Sequence, residues 1–131
     1  MRGHGEIAEM LINKSTELKI HLNEKTDYGN TAFHLACGNG KKEVAKILMQ
    51  KSDEFKIDLN VKANNGYTAF HSACVFNRVN IVDIMIDNAN ILHLDLAAKD
   101  NDGMNGFQIA KHSRSQEVVK LIMEKYPSLV K

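Results

Sequence analysis

Two short segments of the chain contain residue types that enzymes use as nucleophiles, bases and metal ligands. Thr31, His34 and Cys37 lie within seven residues, and the same three types recur 37 positions later as Thr68, His71 and Cys74. A histidine can activate a neighbouring thiol or hydroxyl, and histidine with cysteine can bind zinc. A zinc site needs several ligands at close spacing, and neither segment has such neighbours. The fixed period instead indicates a structural repeat.

Other candidates for catalysis are equally weak. Ser72 follows His71 directly, but adjacent residues on a helix point in different directions and do not readily form a nucleophile–base pair. The glycine-containing turns at residues 38–40 and 103–106 lack the Lys-Ser/Thr pair of a phosphate-binding loop. We therefore expect no catalytic residue, no metal site and no cofactor.

The repeat extends through most of the chain. Gly29, Gly66 and Gly103 are 37 residues apart, and phenylalanines and alanines follow the same period. Four apolar quartets also keep it: Ile7, Ala8, Met10, Leu11; Val44, Ala45, Ile47, Leu48; Ile81, Val82, Ile84, Met85; and Val118, Val119, Leu121, Ile122. Each quartet occupies positions i, i+1, i+3 and i+4, which share one face of a helix. The pattern predicts four copies of one amphipathic helix.

Each unit reads as a turn, a helix, a short loop, a second helix and an extended return. Thr31 and Thr68 are suitable N-caps for the first helices, and Asn105 with Gln108 makes a capping box in the third. In the first full unit the second helix should run from about residue 41 to 51. Apolar residues then alternate with period two, which predicts an extended return strand: Leu18, Ile20, Leu22; Phe55, Ile57, Leu59; Leu92, Leu94, Leu96.

Composition narrows the class of protein. The 131 residues suit one domain, and 44% of them are hydrophobic, enough for a continuous core. Seventeen basic and sixteen acidic residues leave a charge of +1, so we expect no nucleic-acid partner, and short apolar runs predict no membrane span. Cys37 and Cys74 occupy equivalent positions on stacked helices, about 8–10 Å apart, beyond the roughly 7 Å of a disulfide. Reduced, buried thiols suit an intracellular protein, cytoplasmic or nuclear.

The segments Thr31–Cys37 and Thr68–Cys74 resemble the signature of the ankyrin-repeat family, Thr-Pro-Leu-His-x-Ala-Ala. Alanine replaces the proline, phenylalanine the leucine, and cysteine the second alanine. The resemblance covers almost the whole chain, although the period of 37 exceeds the family's usual value of about 33. It implies an all-α solenoid of stacked helix pairs, with finger loops at one edge, a concave binding face, and histidines that bond neighbouring loops.

On this resemblance we divide the single domain, residues 1–131, into a partial first repeat (1–26), two full repeats (27–63 and 64–100) and a degenerate C-terminal capping repeat (101–131). Residues 2–5 align with the loop between the two helices of a repeat, so we expect the sequence to be a fragment of a longer chain. We also expect it to be a monomer. Lys111 replaces the buried cysteine and Pro127 stops the last helix, which together suggest the cap.

The resemblance implies a non-catalytic module that binds a protein partner through its concave face and finger loops. Tyr67, Val75 and Phe76 should cluster at the centre of the face, flanked by Tyr28 and Met104; alternatively, Val75 and Phe76 only fill space between fingers. The predicted partner-binding residues are Tyr28, Asn30, Asn39, Asn65, Tyr67, Val75, Phe76, Asp102, Met104 and His112.

Three further possibilities stay open from the sequence. The chain could be an inhibitor of a transcription factor resembling the inhibitor-of-kappa-B group, or a domain that regulates an enzyme or channel in the same polypeptide. Asn23 and Asn60 stand where the family carries asparagines that are sometimes hydroxylated, although a turn-stabilising role is the simpler explanation. The full open reading frame would distinguish the first two, and intact-mass measurement would test the third.

Overall fold

The computed structural model describes residues 24–130. This part of the chain contains six α-helices and no strand. The helices are α1 (Ala32–Gly38), α2 (Lys42–Gln50), α3 (Ala69–Val75), α4 (Val79–Leu92), α5 (Gly106–His112) and α6 (Gln116–Lys125), followed by a 3₁₀ helix (Pro127–Val130). First helices stack as α1, α3, α5, and second helices as α2, α4, α6. The predicted all-α solenoid is confirmed.

The three first helices begin with the same local structure. The side chains of Thr31, Thr68 and Asn105 each accept a hydrogen bond from the backbone N–H three residues later, and each capping box is completed by a side chain returning to the N-cap. These caps satisfy backbone donors that a helix start leaves free. All three predicted caps are confirmed.

The core lies between the two helix layers and is continuous along the stack. Phe33, Phe70 and Phe107 from the first helices are buried, and Leu48, Ile81 and Ile122 from the second helices belong to the same core cluster. Truncating one of the buried phenylalanines to alanine would cost about 3–5 kcal/mol. Both cysteines are buried free thiols, as predicted, and burial raises the pKa of each well above its usual range.

The predicted return strand is wrong in the described residues. In the repeat 64–100, helix α4 continues to Leu92; in the repeat 27–63, turns follow α2. Lys56 and His93, 37 residues apart, both adopt left-handed backbone conformations with φ of 56° and 55°. The following N–H groups, of Ile57 and Leu94, bond to carbonyl oxygens five residues back, which ends a helical segment. The apolar alternation is a pattern of burial in turns.

The repeat boundaries and the capping role of residues 101–131 stay predictions. Of the partial first repeat, only residues 24–26 are described, and the first apolar quartet and Leu18, Ile20 and Leu22 lie outside the described residues. At the other end, α6 stops at Lys125 and Leu129 of the 3₁₀ helix is buried. Lys111 of α5 is exposed.

Candidate functional site

His34 and His71 each join their own repeat to the next one. The Nδ1 atom of His34 accepts a hydrogen bond from the backbone N–H of Thr31 at 3.1 Å, which leaves Nε2 as the protonated nitrogen. That Nε2 donates to the backbone carbonyl oxygen of Tyr67 at 2.8 Å. His71 makes the equivalent bonds to Thr68 and to the Met104 carbonyl oxygen. The expected structural role of the histidines is confirmed, and burial lowers the pKa of both imidazoles.

Three turns, at residues 26–30, 63–67 and 100–104, form the fingers. Each is closed by a backbone bond from its first N–H to its last carbonyl oxygen, at 2.8–2.9 Å. Neighbouring fingers are also bonded: Asn64 donates through its backbone to the Tyr28 carbonyl and through its side chain to the Asp27 carbonyl, both at 2.9 Å. Asn101 makes the same two kinds of bond to the second finger, to Asn65 and Asn64. The fingers therefore form one ordered row.

A groove of about 300 Å³ lies between the first and second fingers. We call it the finger groove; it is lined by Tyr28, Asn30, Ala63, Asn64, Asn65 and Tyr67. Tyr28 is 77% exposed, whereas Tyr67 is partly buried because its ring stacks on the His71 imidazole, with centroids 5.2 Å apart. Partial burial, together with Asp100 and Asp102, raises the pKa of Tyr67. The structure thus brings together four predicted residues: Tyr28, Asn30, Asn65 and Tyr67.

Three other predicted residues lie at the opposite ends of the first helices. Asn39 is exposed at the end of α1, while Val75 and Phe76 close α3. Phe76 is 58% exposed, and an atom placed at Cβ of Gly38 would lie 3.6 Å from its ring. The Arg78 guanidinium lies 6.0 Å from the ring centroid, and its Nε donates to the Gly38 carbonyl oxygen. We call Asn39, Val75 and Phe76 the helix-end patch.

Tyr67 and Phe76 flank the two ends of α3, a seven-residue helix about 10 Å long. They consequently belong to separate patches at opposite ends of α3, so the expected cluster of Tyr67 with Val75 and Phe76 does not form. Val75 is half-buried, and its carbonyl oxygen accepts a bond from the Ser115 hydroxyl. Phe76, in contrast, keeps more than half of its side chain in solvent, so filling space between fingers does not account for it.

The remaining predicted residues lie in the third repeat. Asp102 is exposed and Met104 half-buried on the third finger, and His112 is exposed at the end of α5. Sequence reasoning missed the residue that organises this finger. The buried Asp100 carboxylate accepts the backbone N–H groups of Asp102 and Met104, both at 2.9 Å. An aspartate opening a turn that ends in Asp-Gly was the available signal.

Asn60 also connects two repeats. Its side-chain nitrogen donates to the His93 carbonyl oxygen at 2.9 Å, and its side-chain oxygen accepts from the Asp95 N–H at 2.8 Å. These bonds account for an asparagine at this position as a turn-stabilising residue. Hydroxylation of Asn60 stays a prediction, and Asn23 lies outside the described residues.

The described residues offer neither a group of side chains that could bind a metal ion nor a helix that could span a membrane. Between residues 24 and 130, no three His, Cys, Asp or Glu side chains are grouped so that they could hold a metal ion. Over the same residues, no helix is long and apolar enough to cross a membrane.

Comparison with known proteins gives the family. The family profile described as Ankyrin repeats (3 copies) matches residues 1–95 and 55–130. No match is found among curated proteins. Ankyrin repeats generally mediate protein–protein interactions, and the family is typically non-catalytic. With nearly the full length matched and the helix pairs, capping boxes and fingers in place, the chain belongs to the ankyrin-repeat family.

Proposed function

We propose that the chain binds a partner protein along the row of fingers and first helices. The observation that carries this proposal is the finger groove, whose two walls come from successive fingers already bonded to each other. Because these walls are ordered before binding, little conformational entropy is lost on association. Two tyrosines with asparagine amides supply apolar area and hydrogen-bonding groups, a combination typical of binding surfaces.

The partner spans both patches. A specific interface buries about 800 Å² on each protein, which exceeds what one groove of this size provides. The helix-end patch lies about 10 Å further along α3 and adds the exposed Phe76 ring. The bound surface of the partner is therefore elongated and follows the first helices, with one contact in the finger groove and a second on Phe76.

Tyr28→Ser and Phe76→Ser test this proposal, with Ile91→Ser as the matched control. Tyr28 and Ile91 are almost equally exposed, at 77% and 78%, but Ile91 belongs to the second-helix layer. A partner captured from the native cells by the wild-type chain would be identified by mass spectrometry, purified and titrated against all three variants. We expect each of the first two substitutions to weaken binding by roughly tenfold or more, and Ile91→Ser to leave it unchanged.

Thermal unfolding separates loss of a contact from loss of the fold. Tyr28 and Phe76 are exposed, so their substitution should leave Tm within about 2 °C of wild type. Binding lost only in Ile91→Ser would place the interface on the second helices and overturn the proposal. Binding unaffected by both Tyr28→Ser and Phe76→Ser would do the same.

A further inference from the structure

The third repeat carries charge on a face that the first two repeats bury. Cys37 and Cys74 are fully buried on this face, yet the equivalent residue of the third repeat, Lys111, is exposed. On the second helices, Ala45 and Val82 are also fully buried, whereas the equivalent residue of the third repeat, Val119, is only half-buried. No helix pair in the part of the chain that the structure describes covers this face of the third repeat.

A pocket of about 390 Å³ opens there, between α5 and α6. We call it the basic pocket; it is lined by Lys111, Arg114, Gln116, Val119 and Lys120. Three of these five residues are cations and none is acidic. Among residues 24–130, neither Lys111 nor Arg114 forms an ion pair. The Lys111 ammonium lies 5.7 Å from the centroid of the Phe107 ring, and Lys120 interacts electrostatically with Glu117. The pocket therefore combines two cations that have no ion pair with an apolar wall at Val119.

Glu117, the acidic residue nearest in sequence to the pocket cations, is hydrogen-bonded to a side chain of the preceding repeat. Glu117 is the one acidic residue between positions 111 and 120. Its carboxylate accepts a hydrogen bond of 2.6 Å from the side-chain amide of Asn77, in the preceding repeat. Glu117 is thus directed to the neighbouring repeat, and it does not line the pocket.

Arg114 has a backbone conformation that favours smaller residues. Its φ is 61°, in the left-handed region, where Gly40 and Asn77 stand at the equivalent positions of the other repeats with φ of 72° and 58°. Glycine and asparagine adopt this region readily, and a long side chain does so at a cost. The turn itself therefore gives no reason for an arginine. The guanidinium at the pocket is what distinguishes this repeat from the other two.

We propose that the basic pocket is a second protein-binding site, separate from the finger groove, and that it binds an acidic segment of a partner. Aspartate or glutamate side chains pair with Lys111, Arg114 and Lys120, and an aliphatic side chain of the same segment packs on Val119. Arginine can hold a carboxylate through two parallel hydrogen bonds. A nucleic acid needs a longer row of cations to follow its phosphates, and a near-neutral chain with three pocket cations does not provide one.

The test is a fluorescence-anisotropy titration of the purified chain with a labelled peptide of alternating glutamate and leucine. Its glutamine counterpart and a single-stranded oligonucleotide are the comparison probes. Lys111→Gln with Arg114→Asn removes two pocket cations and leaves at position 114 the residue type found at position 77. Lys42→Gln with Lys99→Gln removes two exposed cations outside the pocket.

We expect the acidic peptide to bind in preference to the glutamine peptide and the oligonucleotide. The Lys111/Arg114 variant should bind it roughly tenfold more weakly, and the Lys42/Lys99 variant should match wild type. Equal losses in the two variants, binding of the glutamine peptide as tight as that of the acidic one, or tighter binding of the oligonucleotide would each overturn the proposal. So would a wild-type chain that does not bind the acidic peptide. None of these results bears on the finger groove, which both double variants leave unchanged.

Discussion

The Nε2 atom of His34 lies 2.8 Å from the backbone carbonyl oxygen of Tyr67, so a side chain in one repeat holds the finger of the next. Nδ1 of the same ring accepts the Thr31 N–H, so one imidazole completes its own helix cap and fixes the following repeat. His71 does both with Thr68 and Met104. This arrangement positions Tyr67, which lines the finger groove, and the His71 ring on which Tyr67 stacks.

Replacing His71 should separate its two roles. His71→Ala loses both bonds and should lower the free energy of unfolding by about 1–3 kcal/mol. His71→Gln should lose less, because Gln108 completes the capping box of the third repeat with its side-chain oxygen. Urea unfolding of the two variants measures the difference. Equal losses would mean that the capping contact contributes nothing to stability.

Stability should fall as the solution is acidified below neutral pH. Burial holds the pKa of His34 and His71 below the ordinary value of 6.5, so the unfolded chain binds protons there before the folded chain does. The free energy of unfolding therefore decreases as pH drops through about 6.5 and continues to decrease until the folded-state pKa values are passed. Protonation of Nδ1 also removes the acceptor for the Thr31 and Thr68 N–H groups.

Urea unfolding at a series of pH values between about 7 and 5 measures this effect. A variant with glutamine at positions 34 and 71 should show a flatter profile over that range, because neither position then titrates. If wild type and the double variant have profiles of the same slope, the histidines are not its source.

Gly66 and Gly103 form a matched pair of glycines with positive φ, 86° and 79°. A Cβ atom on Gly66 would lie 2.5 Å from the backbone nitrogen of Asn101, whereas one on Gly103 would meet nothing within 4 Å. Gly103→Ala should therefore cost only the backbone strain, about 1 kcal/mol. Gly66→Ala should cost more, because the second and third fingers must also separate. Thermal unfolding of both variants tests this order, and a Gly103→Ala loss as large as that of Gly66→Ala would contradict it.

Gly106 opens α5 where the other repeats have Ala32 and Ala69. A Cβ on Gly106 would lie 2.6 Å from Cε2 of Phe70 and 3.0 Å from the Cys74 sulfur. Gly106→Ala should destabilise the fold by about 1–3 kcal/mol through overpacking, although alanine is the better helix former. The loss should shrink in a Phe70→Leu background, which relieves the contact. A double-mutant cycle measures this coupling, and zero coupling would refute the steric explanation.

Much of the fold could be predicted because the period marks it. The recurrence of Thr, Phe, His and Ala at fixed spacing predicted the first helices and their caps, and the apolar quartets predicted the second helices. The first and the second helices depend on contacts within one repeat or between equivalent positions of neighbouring repeats. In a repeated sequence the residues that make these contacts recur several times, so the pattern is easy to recognise. The family resemblance predicted the hydrogen bonds from His34 and His71 to the next repeat, because both histidines belong to the repeated signature.

The turns that follow the second helices could not be predicted, because the residues that end these helical segments are unusual for that position. Helical segments commonly end at glycine or asparagine in the left-handed conformation, but Lys56 and His93 hold that position. Lysine and histidine also occur inside helices, so neither residue type by itself predicts where a helix ends. Without that signal, alternating apolar residues were interpreted as an extended strand.

The residues of the candidate site stay a prediction, and their spatial arrangement could not be predicted from the sequence. The resemblance gave Tyr67 and Phe76 as neighbours on a face, but the distance between them depends on where α3 begins and ends. The structure places them at its two ends. Asp100, which shapes the third finger, has no counterpart at Ala63, so the repeat pattern could not reveal it.

The bonds between fingers have a consequence for how such a chain can grow. Asn64 donates to the Asp27 carbonyl and Asn101 to the Asn64 carbonyl, each across 37 positions. A tandem duplication of the segment 64–100 would give every new donor an acceptor at the same offset, and every acceptor a new donor. Such a duplication would therefore keep the bonds between fingers at the new junction, while the added copy of Ala69 would meet Phe70 where the natural junction has Gly106.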